Sequence, residues 1–249
     1  MAERGLGVPP PQPITLWWLT NRAGQAVSLP EQIAAWAGER ILTGAFAPGS
    51  KITEQAVSEE FSVSRAPVRE AFRILERQHL VEINPRKGSR VTRLSQQEVR
   101  DIAEIRRAMM GVIAHRLAGR GDPEAIQRLE SKAQDLLAFA EDPMGPDRYL
   151  WGALDLSLSM ARECGNAHVV DILDQLSLPT YRYARIGAVS VSQRQKTARL
   201  WRDAVRSLKR LDAVGALTTL DRIVDYAAET ASAALDAQAT AETDAESEE

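Results

Sequence analysis

Cysteine is nearly missing from this chain: Cys164 stands alone among 249 residues. One thiol excludes an intrachain disulfide framework, so a reducing, cytoplasmic location is expected. Histidine is almost as scarce, with only His79, His115 and His168. No Ser/His/Asp or Cys/His set converges, and nothing suggests a bound coenzyme. The expectation is therefore no enzyme and no cofactor. Long apolar runs are also absent, which leaves no membrane-spanning segment and no membrane partner. Excess positive charge is lacking too, since the net charge is −3. That excludes a general polyanion binder working through bulk charge. What remains is ordinary globular composition, 44% hydrophobic and 26% charged, at a length that suits two domains.

The richest stretch is Phe61–Leu80, FSVSRAPVREAFRILERQHL. Ser64 has the form of an N-cap whose hydroxyl accepts a free backbone N–H. Pro67 falls in the first turn, where no intrahelical N–H is lost. Val68, Ala71, Phe72 and Leu75 recur at helical spacing and define one apolar arc. Arg65, Arg69, Arg73 and Arg77 follow each other every four residues beside it. A row of arginines on a helix is commonly just a solvated face. The flanks give it another meaning. Upstream, Ser28 and Glu31 form a capping box, and Ile33, Trp36, Ala37 and Ile41 form the apolar face of the helix that follows. Pro48 and Gly49 mark a turn. Thr53 caps a short helix ending near Phe61, and three residues later the arginine helix begins, the connection length of a helix-turn-helix. Downstream, Leu80–Ile83 and Ser89–Thr92 read as strands around the turn Asn84-Pro85-Arg86-Lys87-Gly88. Together these make a winged helix-turn-helix. From Ser28 to Leu94 ten Lys/Arg face eight Asp/Glu, a mild excess that suits a binder using a few placed cations.

Strand signals vanish after Ser95. Capped helical segments follow, opened by Ser95/Glu98, by Asp122-Pro123, near Arg148, after Gly165-Asn166, at Ser190 or Ser192, and at Asp212. The first of them should turn Val99, Ile102, Ile105, Met109 and Ile113 inward. The fourth should bend or break at Pro179, and the last should run to about Ala237. The fold class expected is mostly α: an N-terminal winged helix-turn-helix with a small β-hairpin wing, then an all-α bundle of six or seven helices. The divisions are residues 1–27, a flexible extension carrying Trp17 and Trp18; 28–94, the winged domain; 95–237, a helical domain; and 238–249, an acidic disordered tail.

The run ILTGAFAPGSKITEQAVSEEFSVSRAPVREAFRILERQHLVEINPRKGSRV resembles the N-terminal domain of GntR-family transcription regulators. Gly44, Pro48-Gly49, Val63–Arg65, Pro67–Ala71, Leu75, Leu80-Val81 and Gly88 carry the likeness. His79 departs from it, standing where relatives place glycine. The resemblance implies double-stranded DNA as partner, an operator read by a homodimer, and contacts from Gln55, Ser64, Arg65, Ala66, Arg69, Arg73, Lys87 and Gly88. The helical half resembles the FCD domain of the FadR-like branch, through Arg106, Asp155, Gly165-Asn166, Ala216 and Leu220.

Many FCD domains hold a metal with one Asp and three His. Here the Asp position is Asp155, but the His positions fall on Ser159, Trp201 and Ile223, so no metal is expected. The resemblance implies a metabolite as effector, and the residues present suit an anionic or amphipathic one, with Arg106, Asp155, Ser159, Tyr181, Arg185 and Trp201 as candidate contacts. Arg106 is either a clamp for the acid or the structural partner of Asp155. The function expected is a ligand-responsive regulator, a repressor of a metabolic operon. The alternatives are a constitutive DNA-binding dimer with a closed pocket, and a helical-bundle small-molecule-binding module or enzyme.

Overall fold

Ten helices and one three-stranded sheet follow in order along the residues described by the computed structural model, which are 27–84, 88–142, 146–188 and 190–247, with side chains to residue 240. They are α1 (Leu29–Leu42), β1 (Lys51–Ile52), α2 (Glu54–Phe61), α3 (Arg65–Arg77), β2 (Val81–Asn84), β3 (Gly88–Val91), α4 (Gln96–Arg120), α5 (Pro123–Phe139), α6 (Asp147–Glu163), α7 (Ala167–Gln175), α8 (Ser177–Gly187), α9 (Val191–Lys209) and α10 (Ala213–Ser247). The chain divides into two compact units between Arg93 and Leu94. Trp17, Trp18 and Lys87 lie outside the described residues.

In the first unit local chemistry sets each boundary. Ser28 and Glu31 cap α1 reciprocally, the Ser28 amide donating to the Glu31 carboxylate at 2.8 Å. Thr53 caps α2 by accepting from the Ala56 amide at 3.2 Å. Ser62, left-handed at φ 52°, ends it. Ser64 does sit at the N-cap of α3 with extended backbone, but its hydroxyl makes no cap hydrogen bond. The reason is in the sequence: Pro67 occupies the position whose N–H a cap usually receives, and proline has none. Val68, Ala71, Phe72 and Leu75 are all buried, against α1, α2 and β2. The wing has one strand more than the hairpin expected, in the order β1-β3-β2, all antiparallel. The two residues of β1 are too few to show a period in sequence, yet Ile52 is buried and pairs with Ser89.

The second unit is a bundle of the seven helices α4–α10. Helix α10 packs along α4, α9 and α8, and α5 lies between α6 and α9. Caps at Ser95, Asp122, Asn166 and Ser190 accept amide protons from the first turns they open. Three expectations need correction. The buried face of α4 runs through Val99, Ala103, Arg106, Met110 and Ile113, so Ile105 is 44% exposed. The break expected at Pro179 falls earlier, at Leu176, which leaves Pro179 in the first turn of α8. A proline there loses no bond, whereas inside a continuous helix it would clash with the carbonyl of Gln175. The acidic tail expected to be disordered continues α10 in backbone to Ser247. Its sequence, AQATAETDAES, has neither Gly nor Pro and is rich in alanine, which favours helix.

Candidate functional site

Helix α3 presents its polar side to solvent. Arg65, Arg69 and Arg73 are exposed, as are Ser64 and Ala66 at its start. The arginines are not loose. Arg69 Nε and Nη2 donate to the two oxygens of Glu54 at 3.0 and 2.9 Å, a bidentate bridge from α3 to the first turn of α2. That bond holds the Glu54 carboxyl below its ordinary value. Arg65 Nη2 donates to Gln55 Oε1 at 3.3 Å, and Gln55 in turn donates to Glu59 at 2.9 Å. Arg73 reaches Glu70 at 3.4 Å. Gln55, Arg65 and Arg69 are thus brought together on one exposed surface. Gly88 opens β3 at φ 81°, a conformation that favours glycine, and a side chain there would crowd Lys51.

The second unit holds a partly open cavity of about 80 Å³ between α4, α6, α8, α9 and α10. By the same measure one water needs roughly 10–15 Å³, so the space admits a molecule of modest size. Arg106, Tyr181 and Trp201 line it. Arg106 is 5% exposed. Its Nη2 donates to Ser157 Oγ at 3.2 Å and its Nη1 to Thr180 Oγ1 at 3.4 Å. Both acceptors are neutral hydroxyls, and the two bonds are long for a cation. Burial pushes the Arg106 guanidinium below its ordinary value, and Tyr183 beside it works the other way. Burial likewise pushes the Tyr183 and Tyr149 phenols up, so both stay protonated. Trp201 and Ile223 supply apolar wall.

The remaining candidates do not join the cavity wall. Asp155 pairs with Lys132 of α5 and, at 3.5 Å, with Arg162. The expected alternative pairing of Arg106 with Asp155 is therefore not made. Residues 155 and 157 are two apart on α6, so their side chains leave the helix about 200° apart, and Ser157 faces Arg106 instead. Ser159 accepts from Arg162. Arg185 and the Tyr181 hydroxyl both donate to Asp147 at the start of α6, at 2.9 and 2.7 Å. Among the described residues no three His, Cys, Asp or Glu side chains gather as metal ligands. With Asp155 committed to two cations and a tryptophan and an isoleucine at two of the imidazole positions, the donor set does not fit a transition metal.

One buried cation escaped the sequence reading. Arg194 is 2% exposed and also lines the cavity. It donates to the carbonyls of Ala140, Asp142 and Ala188, at 3.4, 2.7 and 3.4 Å. The signal was present: Arg194 lies four residues before Ala198 and seven before Trp201, in the buried register of α9. Among the described residues no Asp or Glu lines the cavity.

Residues 29–91 match the family described as "Bacterial regulatory proteins, gntR family", and residues 101–226 match the FCD domain. Among similar proteins, the Escherichia coli HTH-type transcriptional repressor RspR is 44% identical over 72 residues, 29% of this chain and 32% of that one. An HTH-type regulator from the TAR-I ttuE-ttuC' intergenic region of Agrobacterium vitis is 33% identical over 143 residues, 55% of this chain and 82% of that one. The chain spans less than half the length of the first curated relatives it matches. The solved structure of E. coli McbR/YncC has the same fold, with a TM-score of 0.64 at 19% identity, over 80% of this chain and 95% of that one. No helix among the described residues is long and apolar enough to cross a membrane.

Proposed function

The chain belongs to the gntR family of bacterial regulatory proteins and carries an FCD domain, and from that premise we propose that it is a ligand-responsive, DNA-binding transcription regulator that acts as a homodimer on a palindromic operator. The observation that carries the DNA reading is the exposed Arg65–Arg69–Arg73 face of a helix whose other face is fully buried. In helix-turn-helix proteins the N-terminal residues of such a helix meet base edges. Ser64 adds a hydroxyl that Pro67 has left without its cap partner, suited to a phosphate oxygen. Gln55, Ala66, Lys87 and Gly88 complete the proposed contact surface. A two-fold dimer suits a palindrome. Ile105, with Ile102 and Met109 half-buried beside it, gives an isolated chain an apolar strip that a second copy would cover. Repression is the mode named for RspR and for the gluconate operon repressor of Bacillus licheniformis, and it is the mode proposed here.

The effector is a small anion held by Arg106. A buried guanidinium with only hydroxyl partners is costly, and an acid entering the cavity offsets that cost. Two parallel N–H···O bonds would orient a carboxylate there, with its apolar part against Trp201. Release follows if the acid prefers the state in which two recognition helices are misplaced for the operator.

The test is a thermal-shift screen of small carboxylic acids on the full chain, since a ligand of the folded state raises the melting temperature by mass action. At least one acid should stabilise wild type and release operator DNA, and Arg106→Gln should lose both effects while binding the operator as wild type does. A mutant that still responds would remove Arg106 from the effector site.

A further inference from the structure

The bridge between α2 and α3 has no structural task that the apolar contacts leave undone. Val57 of α2 and Val68, Ala71, Phe72 and Leu75 of α3 are already buried. Yet Glu54, 30% exposed, holds Arg69, 58% exposed, at both nitrogens of one edge of the guanidinium. A carboxylate facing outward on a surface meant for phosphates repels them, so its place there calls for a reason.

The geometry of the fork supplies one. Guanidinium has two bidentate edges, one formed by Nε and Nη2 and the other by Nη1 and Nη2. Glu54 occupies the first. The second remains, and it is the edge that matches the O6 and N7 acceptors of guanine in the major groove. We propose that Glu54 is a specificity-determining positioning residue: it fixes the Arg69 guanidinium so that its outer edge meets guanine, and it keeps that cation from settling on the nearest phosphate. Gln55 holds Arg65 in a weaker version of the same arrangement, a single bond to a neutral amide. Helix α2 is thereby a template for the reading side chains of α3. The proposal rests on α3 being the DNA-reading helix.

Without the clamp, Arg69 keeps its charge and gains rotamers. It then reaches phosphates on any sequence, and each phosphate neutralised adds about 0.9 to the salt dependence of binding. Discrimination falls because the bidentate base contact is no longer preset.

The experiment uses the full chain, a duplex selected by wild type from random DNA, the same duplex with each guanine of one half-site changed in turn, and a scrambled duplex, each titrated with salt. Wild type should show one guanine whose replacement by adenine weakens binding by about tenfold or more. Arg69→Ala should abolish discrimination at that base. Glu54→Gln should keep its melting temperature, lose most of the discrimination at the same base, and bind scrambled DNA more tightly with a salt slope about one unit steeper. Glu60→Gln removes an equal charge from an exposed position of α2 and serves as the control for charge alone. It should leave discrimination at wild-type level. Glu54→Gln behaving like wild type, or like Glu60→Gln, would overturn the positioning role while leaving the DNA reading intact. A wild-type chain that selects no sequence would overturn the DNA reading, and this role with it.

Discussion

Arg106 is a cation in the core without a carboxylate, and that single residue ties stability to function. Removing it orphans no acid, because Asp155 is already held by Lys132 and Arg162. Arg106→Met should therefore melt no lower than wild type. A gain of 1 kcal/mol would appear as roughly 2–4 °C in a chain of this size. Thermal melting of the two proteins side by side checks it, and a loss of several degrees would mean that the Ser157 and Thr180 bonds matter more than the desolvation. His79 makes a second case. It ends α3 in the left-handed conformation, φ 55°, with the Thr92 hydroxyl donating to its carbonyl at 2.7 Å. A glycine would adopt that conformation without a Cβ penalty, so His79→Gly should stabilise the first unit by about 1 kcal/mol in a denaturant titration. Sequence alone already pointed to this site, because the resemblance put glycine where histidine stands. It also pointed to Arg106, Tyr181 and Trp201. It also named Asp155, Ser159 and Arg185, which lie off the cavity wall, because assignment by resemblance fixes a position along a helix and says nothing about which neighbour a side chain takes.

Helix boundaries were legible wherever a polar side chain closes a first turn: the Ser28, Thr53, Ser95, Asp122 and Asp212 caps all make the bonds their sequences advertise. Helix faces were less so. Helix α4 has apolar residues on two sides, so the period that selects Ile102, Ile105 and Met109 competes with the one that selects Ala103, Arg106 and Met110. Contact between elements left no sequence trace at all. Gly187, near the end of α8, lies so close to α10 that an added Cβ would meet Thr230 Oγ1 at 2.5 Å and the Ala231 amide nitrogen at 2.9 Å. Backbone cannot give way as a flexible side chain can. Gly187→Ala should therefore destabilise the bundle by about 1–3 kcal/mol and lower its melting temperature. An unchanged melt would mean that α8 and α10 are less closely packed in solution.

For the molecule as a whole, the proposed function requires two copies to present two recognition helices to one operator. If two copies meet through the apolar strip of α4, Ile105→Asp should shift the chain toward monomer in sedimentation and weaken operator binding, while each unit stays folded. A dimer of wild-type strength in that variant would place the interface elsewhere. The chemistry of the cavity makes a separate demand. Since its residues do not form a metal site, a chelator should leave the melting temperature and the response to carboxylic acids unchanged, and a drop in either would reveal ligands the geometry does not bring together. The central claim, however, is that α3 reads sequence through its first arginines. Its most direct test is operator affinity at fixed salt for wild type, Arg65→Ala and Arg69→Ala, with the melting temperature recorded for each. The account predicts folded mutants that lose roughly 1–3 kcal/mol of operator binding apiece and retain little preference over scrambled DNA. Folded mutants with wild-type affinity and wild-type preference would contradict it.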